Sequence, residues 1–461
     1  MNKKNVCIIG AGISGLTAGA LLIKKGFNVT IYEKEQFIGG RALSFDGSKI
    51  NFEDYNNLLS RFNMNVSFSK PPLEEIFKKG LLDGYKLDLG YHAIGGGVLS
   101  NTNNMLSEFN EHIDIKESNV GLIKEKGYDY PFLSKLDKIK IAPKILRLLF
   151  ASEKTLKNLD KVSISETIKR YGKGKMRLIL EVFSRSISTI NNLDFISTGE
   201  MFRAQKNLYR GSKPVGYPIG GLSSITKKFA DCIKVNGGHI YLSKTVEKII
   251  IKNNKAVGVI VDGKKIDFDI IISSILVQDL YKIVDEKQFP KDLLKEFKNL
   301  KGTGSLCAYY SLKEVDPSLI GKTFHFIERD TGLDGNDVVG MIDFMATSPD
   351  VGLSPHGNYL IQSYIICTPD EARSKESLEK LRFFLDKNLY KLIPDFDKKL
   401  NWVIYPAIWH LDGIAKTINN EKPQIKTPVD NFYLIGDCVK ASGIGFNCAL
   451  NSALLLYNII R

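Results

Sequence analysis

The chain has 461 residues, of which 43% are hydrophobic and 25% charged, and its formal net charge is +13. This length allows two or three domains with large cores, and no uninterrupted apolar run is long enough to cross a bilayer. The six cysteines are scattered, with no C-x-x-C pair and no metal-ligand spacing. A cytoplasmic protein with reduced thiols and no metal is therefore expected, rather than a disulfide-bonded secreted one.

The opening of the chain predicts a strand, a glycine-rich turn, a helix and a second strand. Apolar runs suit buried strands at Val6–Ile9 and Val29–Tyr32, and a helical pattern covers Leu16–Lys25 between them. Three glycines in G-x-G-x-x-G spacing separate the first strand from the helix: Gly10, Gly12 and Gly15. A signal peptide would also begin with lysines and an apolar stretch, but glycines interrupt this one and no small-residue cleavage site follows.

This pattern is typical of a dinucleotide site. Gly10 permits the tight turn, Gly12 lets the backbone approach a pyrophosphate, and Gly15 lets helix and strand pack closely. The helix N-terminus offers N–H groups to phosphates, and Glu33, 18 residues after Gly15, can accept from ribose hydroxyls. The residues expected to bind the dinucleotide in this unit are Gly10, Gly12, Ile13, Ser14, Gly15, Glu33 and Lys34.

Gly39, Gly40 and Arg41 follow the second strand. The two glycines permit close contact with a cofactor, and the arginine can hold a phosphate. Together with G-x-G-x-x-G and the closing acid, G-G-R resembles the opening of the FAD-dependent amine oxidase superfamily, which includes phytoene desaturases, protoporphyrinogen oxidases, retinol saturases and monoamine oxidases. The resemblance implies FAD as the cofactor. Non-covalent binding is expected, because Cys438 does not match the position of the covalent-flavin cysteine.

The segment from Asp46 to Gly84 is polar and is expected to be irregular. It precedes Tyr85–His92, which resembles the "F-D-x-G-x-H" segment that passes near the flavin in this superfamily, and makes His92 a candidate acid or base. Relatives have a short hairpin here, so the segment is an insertion of roughly 35 residues. A lid, a membrane-contacting flap, a dimer arm and a surface excursion without a role in chemistry all remain open.

Helical patterns dominate residues 101–210, and the basic charge is concentrated there. Thirteen Lys and Arg but only four Asp and Glu lie between Lys135 and Arg177. A basic amphipathic helix in this region could lie on an anionic membrane, or it could pack on the core with a solvated basic face. Nucleic acid is not an expected partner, since aromatic residues are not interleaved with the charges and no nucleic-acid motif occurs.

The remaining landmarks return the chain to the nucleotide domain. The "Y-P-x-G-G" segment at 217–221 and the helix after it match the superfamily, which implies that Val246 pairs its backbone with the adenine. Tyr405 belongs to a segment that resembles the superfamily's return toward the flavin, and with Phe446 it is a candidate for shaping the substrate face. The closing strand, Phe432–Ile435, is followed by further expected cofactor residues: Gly436, Asp437, Gly445 and Phe446. The resemblance implies that Asp437 binds the ribityl chain or its phosphate, and that the last helix points its N-terminus at the flavin.

The predicted fold is α/β. A Rossmann-type FAD-binding domain, with a doubly wound parallel sheet and a small antiparallel sheet, is joined to a discontinuous α+β substrate domain. The FAD-binding domain is expected to comprise residues 1–100, 213–290 and 421–461, and the substrate domain residues 101–212 and 291–420.

Three functions are consistent with these motifs. The first is a desaturase, saturase or isomerase that transfers hydride at flavin N5 and acts on a small lipophilic, isoprenoid-like substrate, with its electron donor or acceptor left open. The second is amine oxidation, although the closing motif lacks the tyrosine that would pair with Phe446. The third is prenyl binding without catalysis, as in Rab escort and GDP-dissociation proteins. Peripheral attachment to the inner membrane face is an alternative to a purely cytoplasmic location.

Overall fold

A computed structural model describes residues 3–90, 93–418 and 421–460. The strands, in chain order, are β1 (Asn5–Ile9), β2 (Asn28–Tyr32), β3 (Ser44–Asp46), β4 (Met64–Lys70), β5 (Lys86–Asp88), β6 (Ile94–Gly95), β7 (Ile115–Ser118), β8 (Val120–Ile123), β9 (Tyr128–Asp129), β10 (Val215–Pro218), β11 (His239–Tyr241), β12 (Val246–Lys252), β13 (Lys255–Val261), β14 (Lys264–Asp267), β15 (Ile270–Ser273), β16 (Gly304–Leu312), β17 (Thr323–Glu328), β18 (Val338–Asp343), β19 (Tyr359–Cys367), β20 (Leu400–Ile408) and β21 (Phe432–Leu434).

The α-helices, in the same order, are α1 (Ile13–Lys24), α2 (Phe52–Arg61), α3 (Leu73–Lys78), α4 (Asn101–Leu106), α5 (Lys135–Leu149), α6 (Glu153–Asn158), α7 (Ile164–Tyr171), α8 (Lys175–Ser188), α9 (Thr198–Tyr209), α10 (Ser223–Val235), α11 (Lys291–Asn299), α12 (Lys375–Leu392), α13 (Phe396–Lys399) and α14 (Gly445–Ile459). No helix within the described ranges combines the length and the hydropathy needed to cross a membrane.

A five-stranded parallel sheet carries both ends of the chain. Its strand order is β11-β2-β1-β15-β21, and every neighbouring pair is parallel. Strand β1 is buried from Val6 to Ile9, as expected for a parallel strand covered on both faces. Helices α1, α10 and α14 pack around this sheet through one hydrophobic core. The predicted α/β class with a parallel sheet is therefore confirmed.

A small antiparallel sheet, β12-β13-β14, shares the core of the parallel sheet. The turn between β13 and β14 is Asp262-Gly263, and both residues have positive φ, as a tight hairpin requires. The chain enters β12 immediately after Lys244 and Thr245, so this sheet begins beside the carboxyl end of β2.

An eight-stranded sheet forms the second large unit, with the order β4-β20-β16-β19-β18-β17-β8-β9. Most of its pairs are antiparallel, and β17 pairs with β8 in parallel. Side chains alternate between two separate cores along β20. Trp402, Ile404 and Ile408 belong to one, while Val403 and Tyr405 belong to the core beneath α12.

The segment from Asp46 to Gly84 is regular, and the expectation of irregular structure is wrong. It forms α2, β4 and α3, and β4 pairs with β20 at the edge of the eight-stranded sheet. Its buried apolar side chains include Tyr55, Leu58 and Ile76, whereas most of its exposed residues are polar and Phe52 and Phe68 are the exposed aromatic ones. The domain boundaries stay a prediction, although β4, within the range 1–100, belongs to the eight-stranded sheet and not to the parallel one.

Candidate cofactor site

A cavity of about 490 Å³ lies where the strands of the parallel sheet end. Residues that follow the carboxyl ends of β1, β2, β15 and β21 all line it: Gly10, Glu33, Ser274 and Gly436. The carboxyl ends of parallel strands meet at one edge of a sheet, and ligands of such folds bind in the crevice outside that edge. The cavity therefore occupies the position where this topology places a ligand.

The three glycines of the first turn are required for different reasons. A Cβ on Gly10, whose φ is +100°, would lie 2.6 Å from Ser274 Oγ, and one on Gly15 would lie 2.1 Å from the Gly10 carbonyl oxygen. A Cβ on Gly12 would meet no protein atom within 4 Å. Because Gly12 lines the cavity, that Cβ would occupy ligand space. Gly10 and Gly15 are therefore required by the packing of the protein itself, whereas the absence of a side chain at Gly12 leaves its backbone accessible to a ligand in the cavity.

Gly39 and Gly40 face this turn. The Gly39 N–H donates to the Ala11 carbonyl at 2.9 Å, and a Cβ on Gly40 would lie 3.4 Å from Gly12 Cα. The first N–H groups of α1, at Ile13 and Ser14, have no acceptor within their own helix. Two glycine backbones and a helix N-terminus therefore border one side of the cavity, which suits a pyrophosphate. The residues present fit a dinucleotide cofactor.

Glu33 is fixed by backbone donors at the end of β2. Its Oε2 accepts from the Ala11 N–H at 2.6 Å and its Oε1 accepts from the Glu35 N–H at 3.0 Å. Burial raises the pKa of Glu33, while these two hydrogen bonds oppose the shift. Each carboxylate oxygen keeps a second lone pair for a ribose hydroxyl. Lys34 and Val246 line the same cavity, so the structure brings the expected ribose and adenine residues together.

Arg41 joins the opening motif to the closing one. Its Nη2 donates to both carboxylate oxygens of Asp437, at 2.7 and 2.8 Å, and its Nη1 donates to the carbonyls of His410 and Leu411, at 3.0 and 3.3 Å. These contacts occupy both terminal nitrogens. The contact of Arg41 with a phosphate, and that of Asp437 with a ribityl chain, stay predictions.

A buried charge cluster supports Asp437 and the start of α14. The Gly413 N–H donates to Asp437 at 2.7 Å, and Lys422 Nζ donates to the Asp437 backbone carbonyl. Burial would raise the pKa of Asp437, but the charges of Arg41 and Lys422 outweigh it and hold that pKa below its usual range. Asp412 lies 3.8 Å from Lys422 and accepts from the Gly445 N–H at 3.1 Å. The cluster therefore fixes the first residue of α14 at the cavity wall.

The structure places two of the candidate catalytic residues, Phe446 and Tyr405, in different parts of the molecule. Phe446, in the first turn of α14, lines the cavity together with Gly445. Tyr405 does not lie there. It is buried in the core beneath α12, and its hydroxyl donates to Asp386. The expectation that Tyr405 shapes the substrate face is corrected by this placement, and His92 lies outside the described residues.

Several lining residues were not anticipated. Ser274 follows β15, and His410 and Leu411 follow β20. The rule that ligands lie at the carboxyl ends of parallel strands could have identified Ser274. Burial, followed by the charge of Arg41, lowers the pKa of His410, so its imidazole is neutral at pH 7. The insertion also reaches the cavity, through Arg61, Phe62 and Asn63 at the end of α2.

Comparisons with known proteins agree with this geometry. The model of the flavin containing amine oxidoreductase family matches residues 13–455. The chain is 23% identical over 342 residues to 1-hydroxycarotenoid 3,4-desaturase from Flavobacterium sp. (strain P99-3), covering 68% of this chain and 65% of that protein. It is 26% identical over 340 residues to phytoene desaturase from Fusarium fujikuroi, covering 69% of this chain and 56% of that protein. The chain thus spans from half to about two thirds of the length of these curated relatives.

The fold has close counterparts among solved structures. An oxidoreductase from Methanosarcina mazei superposes with a TM-score of 0.70 at 20% identity, covering 98% of this chain and 100% of that one. At this identity the likeness concerns the fold alone. The family model, by contrast, spans almost the whole chain and includes the segments that meet at the cavity. The chain belongs to the flavin containing amine oxidoreductase family.

Proposed function

We propose that this chain is an FAD-dependent oxidoreductase that binds its flavin non-covalently and acts on a lipophilic, isoprenoid-like substrate as a desaturase, saturase or isomerase. The observation that carries the proposal is the convergence of the glycine-rich turn, Glu33, the Gly39-Gly40 pair and the Gly436-Asp437 turn on one cavity. Support for the substrate class comes from relatives that are named carotenoid and phytoene desaturases.

The residues of the cavity have distinct tasks in this proposal. Gly12, Gly40 and the start of α1 would hold the pyrophosphate, and Glu33 would orient the adenosine ribose. When bound, FAD supplies hydride transfer at its N5 atom. Asp412 accepts from the Gly445 N–H and so fixes the start of α14, whose following N–H groups would carry the positive end of the helix dipole at this wall.

The cavity wall beside α14 supports a lipophilic substrate. Its lining there includes apolar side chains: Leu276, Leu411, Phe446 and Ala449. Transfer of a hydride to or from carbon depends on the alignment of a C–H bond, and an apolar wall excludes the water that would compete for that position. The chain's contribution to rate would therefore come from orientation and from exclusion of water.

Non-covalent attachment is supported by the surroundings of the nearest cysteines. No cysteine occurs among the described residues that line the cavity. The thiol of Cys438 lies 3.7 Å from the Ile275 carbonyl oxygen, and burial raises its pKa to about 12. A neutral, buried thiol is a poor nucleophile, so a bond between Cys438 and a flavin is not expected.

The visible absorption spectrum of the purified chain, repeated on the supernatant after acid precipitation, tests the cofactor. A flavin spectrum that moves into the supernatant is the expected result. Flavin that stays in the pellet would contradict non-covalent binding and favour amine oxidation. A colourless chain that also fails to bind added FAD would overturn the enzyme proposal and favour prenyl binding without catalysis.

The substrate class is tested with the flavin-loaded chain and phytoene dispersed in lipid, with a soluble quinone or oxygen as the acceptor. New absorption bands from a longer conjugated system are expected, and the Gly12→Val variant serves as a control without bound flavin. Release of hydrogen peroxide with a primary amine, but no change in a polyene under oxidising or reducing conditions, would contradict the proposal.

A further inference from the structure

Helix α5 packs on the rest of the chain through only one of its faces. None of its fifteen residues is buried. Ile141, Ile145, Leu148 and Leu149 are half-buried and form the inner face, and Ile141 packs against the core of the eight-stranded sheet. The inner face agrees with the alternative in which this helix packs on the protein. The outer face does not agree with it, because that face carries exposed apolar residues as well as basic ones.

The outer face carries a continuous apolar stripe. Leu136 and Ile139 are each 69% exposed, Leu146 is 53% exposed and Phe150, the residue that caps the helix, is 84% exposed. Together with the exposed Pro143, these residues recur at alternating intervals of three and four, which places them on one side of a helix. We call these five residues the α5 stripe: Leu136, Ile139, Pro143, Leu146 and Phe150.

Basic side chains border the α5 stripe on both sides. At 100° per residue, Lys140, Lys144 and Arg147 lie along one edge, and Lys135 and Lys138 lie along the other. All five are exposed, and within the part of the chain that the structure describes none of them has an ion pair.

The single acid of the helix does not offset this charge. Asp137 accepts from Ser134 in a capping box at the helix start, and Lys175 Nζ lies 2.6 Å from its Oδ2. The carboxylate is therefore already paired with a lysine from α8. The positive charge along both edges of the α5 stripe is left without a partner from within the described residues.

We propose that the α5 stripe is a docking surface for an anionic lipid bilayer, on which α5 lies in the plane of the membrane. The apolar side chains would enter the boundary between headgroups and acyl chains, and the flanking Lys and Arg would contact anionic headgroups. A helix of fifteen residues is about 22 Å long, which suits an interfacial helix and is too short for a spanning one.

Charge favours a bilayer over a second copy of the chain. A stripe with intervals of three and four could also form a helix pair with its own copy, as in a coiled coil. The charged residues along its edges are all basic, however, so two copies would place like charges opposite one another, and such pairs are destabilising. An anionic surface removes this repulsion and uses all five charges at once.

Sedimentation with lipid vesicles tests the proposal on the whole chain. Vesicles of phosphatidylcholine alone are compared with vesicles that also contain phosphatidylglycerol, at low and at high salt. We expect binding to the mixed vesicles, with a loss at high salt because the charges are exposed. The variant Ile139→Gln/Leu146→Gln removes apolar contact, and Lys138→Glu/Lys144→Glu reverses charge on both edges. Each should weaken binding by about tenfold or more, the first because two apolar side chains no longer enter the bilayer boundary and the second because two attractive charges become repulsive.

A matched control exists at the end of α10. Lys234 and Val235 are exposed, and Val235 is 86% exposed, as fully as Phe150. The variant Lys234→Glu/Val235→Gln should keep its affinity for mixed vesicles within about twofold. A tryptophan at position 150, in Phe150→Trp, should shift its emission to the blue on mixed vesicles and be quenched by brominated acyl chains.

Four results would overturn the proposal. These are no binding of the intact chain to mixed vesicles, equal losses in the α5 and α10 variants, no emission shift from Phe150→Trp, and a dimer in sedimentation that the Ile139→Gln/Leu146→Gln variant dissociates. Sedimentation requires neither FAD nor turnover. Failure of membrane docking is therefore separate from failure of the proposed reaction, which the flavin spectrum tests.

Discussion

Arg41 Nη2 donates to both oxygens of the Asp437 carboxylate, in an ion pair between residues 396 positions apart in the sequence. One partner follows the second strand of the chain and the other follows the last strand. Both residues line the cavity. The pair shows that the Gly-Gly-Arg motif contributes to the architecture of the site as well as to its surface.

Replacement of Arg41 by methionine should destabilise the chain by about 3 kcal/mol, because it leaves the buried Asp437 carboxylate without its main partner. The dependence of the free energy of unfolding on pH should become weaker as well. Since the native pKa of Asp437 is held below its unfolded value, this group stabilises above about pH 4 and loses that effect as pH falls toward the folded pKa. In Arg41→Met only Lys422 and the Gly413 N–H are left to oppose the effect of burial, so the pKa of Asp437 should rise and the variant should lose less stability than the native chain on acidification toward pH 4.

Chemical denaturation at several pH values measures this difference. Arg41→Lys retains the charge beside Asp437 but cannot also donate to the carbonyls of His410 and Leu411, and it should fall between the native chain and Arg41→Met. Equal pH dependence in all three chains would contradict the assigned role of the pair.

Gly12→Val should abolish FAD binding without destabilising the apoprotein. Its Cβ would project into the cavity and would meet no protein atom within 4 Å, so a clash with the protein is not expected there, whereas a pyrophosphate at this position would be displaced. Gly12→Ala adds a single carbon and should weaken binding less. Flavin occupancy by absorbance and apoprotein melting temperature are the two readouts. Full flavin occupancy in Gly12→Val would refute the placement of the phosphates.

Asp88 should make the native chain more stable in mild acid. It is buried, accepts from Ser44, Tyr217 and the Leu222 N–H, and burial raises its pKa to about 6 despite these donors. Because the folded pKa exceeds the unfolded one, its carboxylate favours unfolding above pH 6, and this effect disappears as pH falls from 6 to 4. Relative to Asp88→Asn, the native chain should gain up to about 3 kcal/mol between pH 7 and pH 4.

Denaturant unfolding of the native chain and of Asp88→Asn at intervals between pH 7 and pH 4 gives this difference directly. If the difference in the free energy of unfolding between the native chain and Asp88→Asn stayed constant from pH 7 to pH 4, Asp88 would be ionised over the whole range. That result would contradict the effect of burial on its pKa.

Tyr55→Ala tests whether the 46–84 segment is part of the structural core or a detachable arm. The ring is buried and contacts Phe45 and Phe77, with centroids 5.3 and 5.4 Å apart. We expect a loss of about 3–5 kcal/mol in the free energy of unfolding, as for other large buried aromatics. Phe52→Ala, on the same helix but partly exposed, should cost about 1 kcal/mol. If urea unfolding showed similarly small losses in the free energy of unfolding for Tyr55→Ala and Phe52→Ala, the segment would instead be an independent arm.

The elements of the fold that depend on local sequence patterns could be predicted from the sequence. The strands of residues 5–41 and the final helix were predicted because apolar periodicity, glycine turns and strand ends are all local signals. The glycine motif and the family resemblance together located 14 of the 34 residues that line the cavity, from Gly10 to Phe446.

What sequence did not reveal depends on partners far along the chain. β4 looked polar because it pairs at a sheet edge, where few of its side chains need to be buried. Tyr405 was misplaced because side chains on a strand alternate between faces. Which face meets α12 is decided by the tertiary arrangement and not by the strand itself. Arg41 pairs with a residue that no local pattern links to it.

The order of strands in the parallel sheet bears on how the chain is made. Its edge strand β21, with Gly436, Asp437 and α14 behind it, is the last part of the described fold to be synthesised, whereas β1 is the first. A nascent chain that lacks these residues has an open sheet edge beside β15 and an unpaired Arg41. Binding of the cofactor should therefore follow synthesis of this region. Until β21 has paired with β15, the open edge of the sheet makes the incomplete chain more prone to aggregation than the finished one.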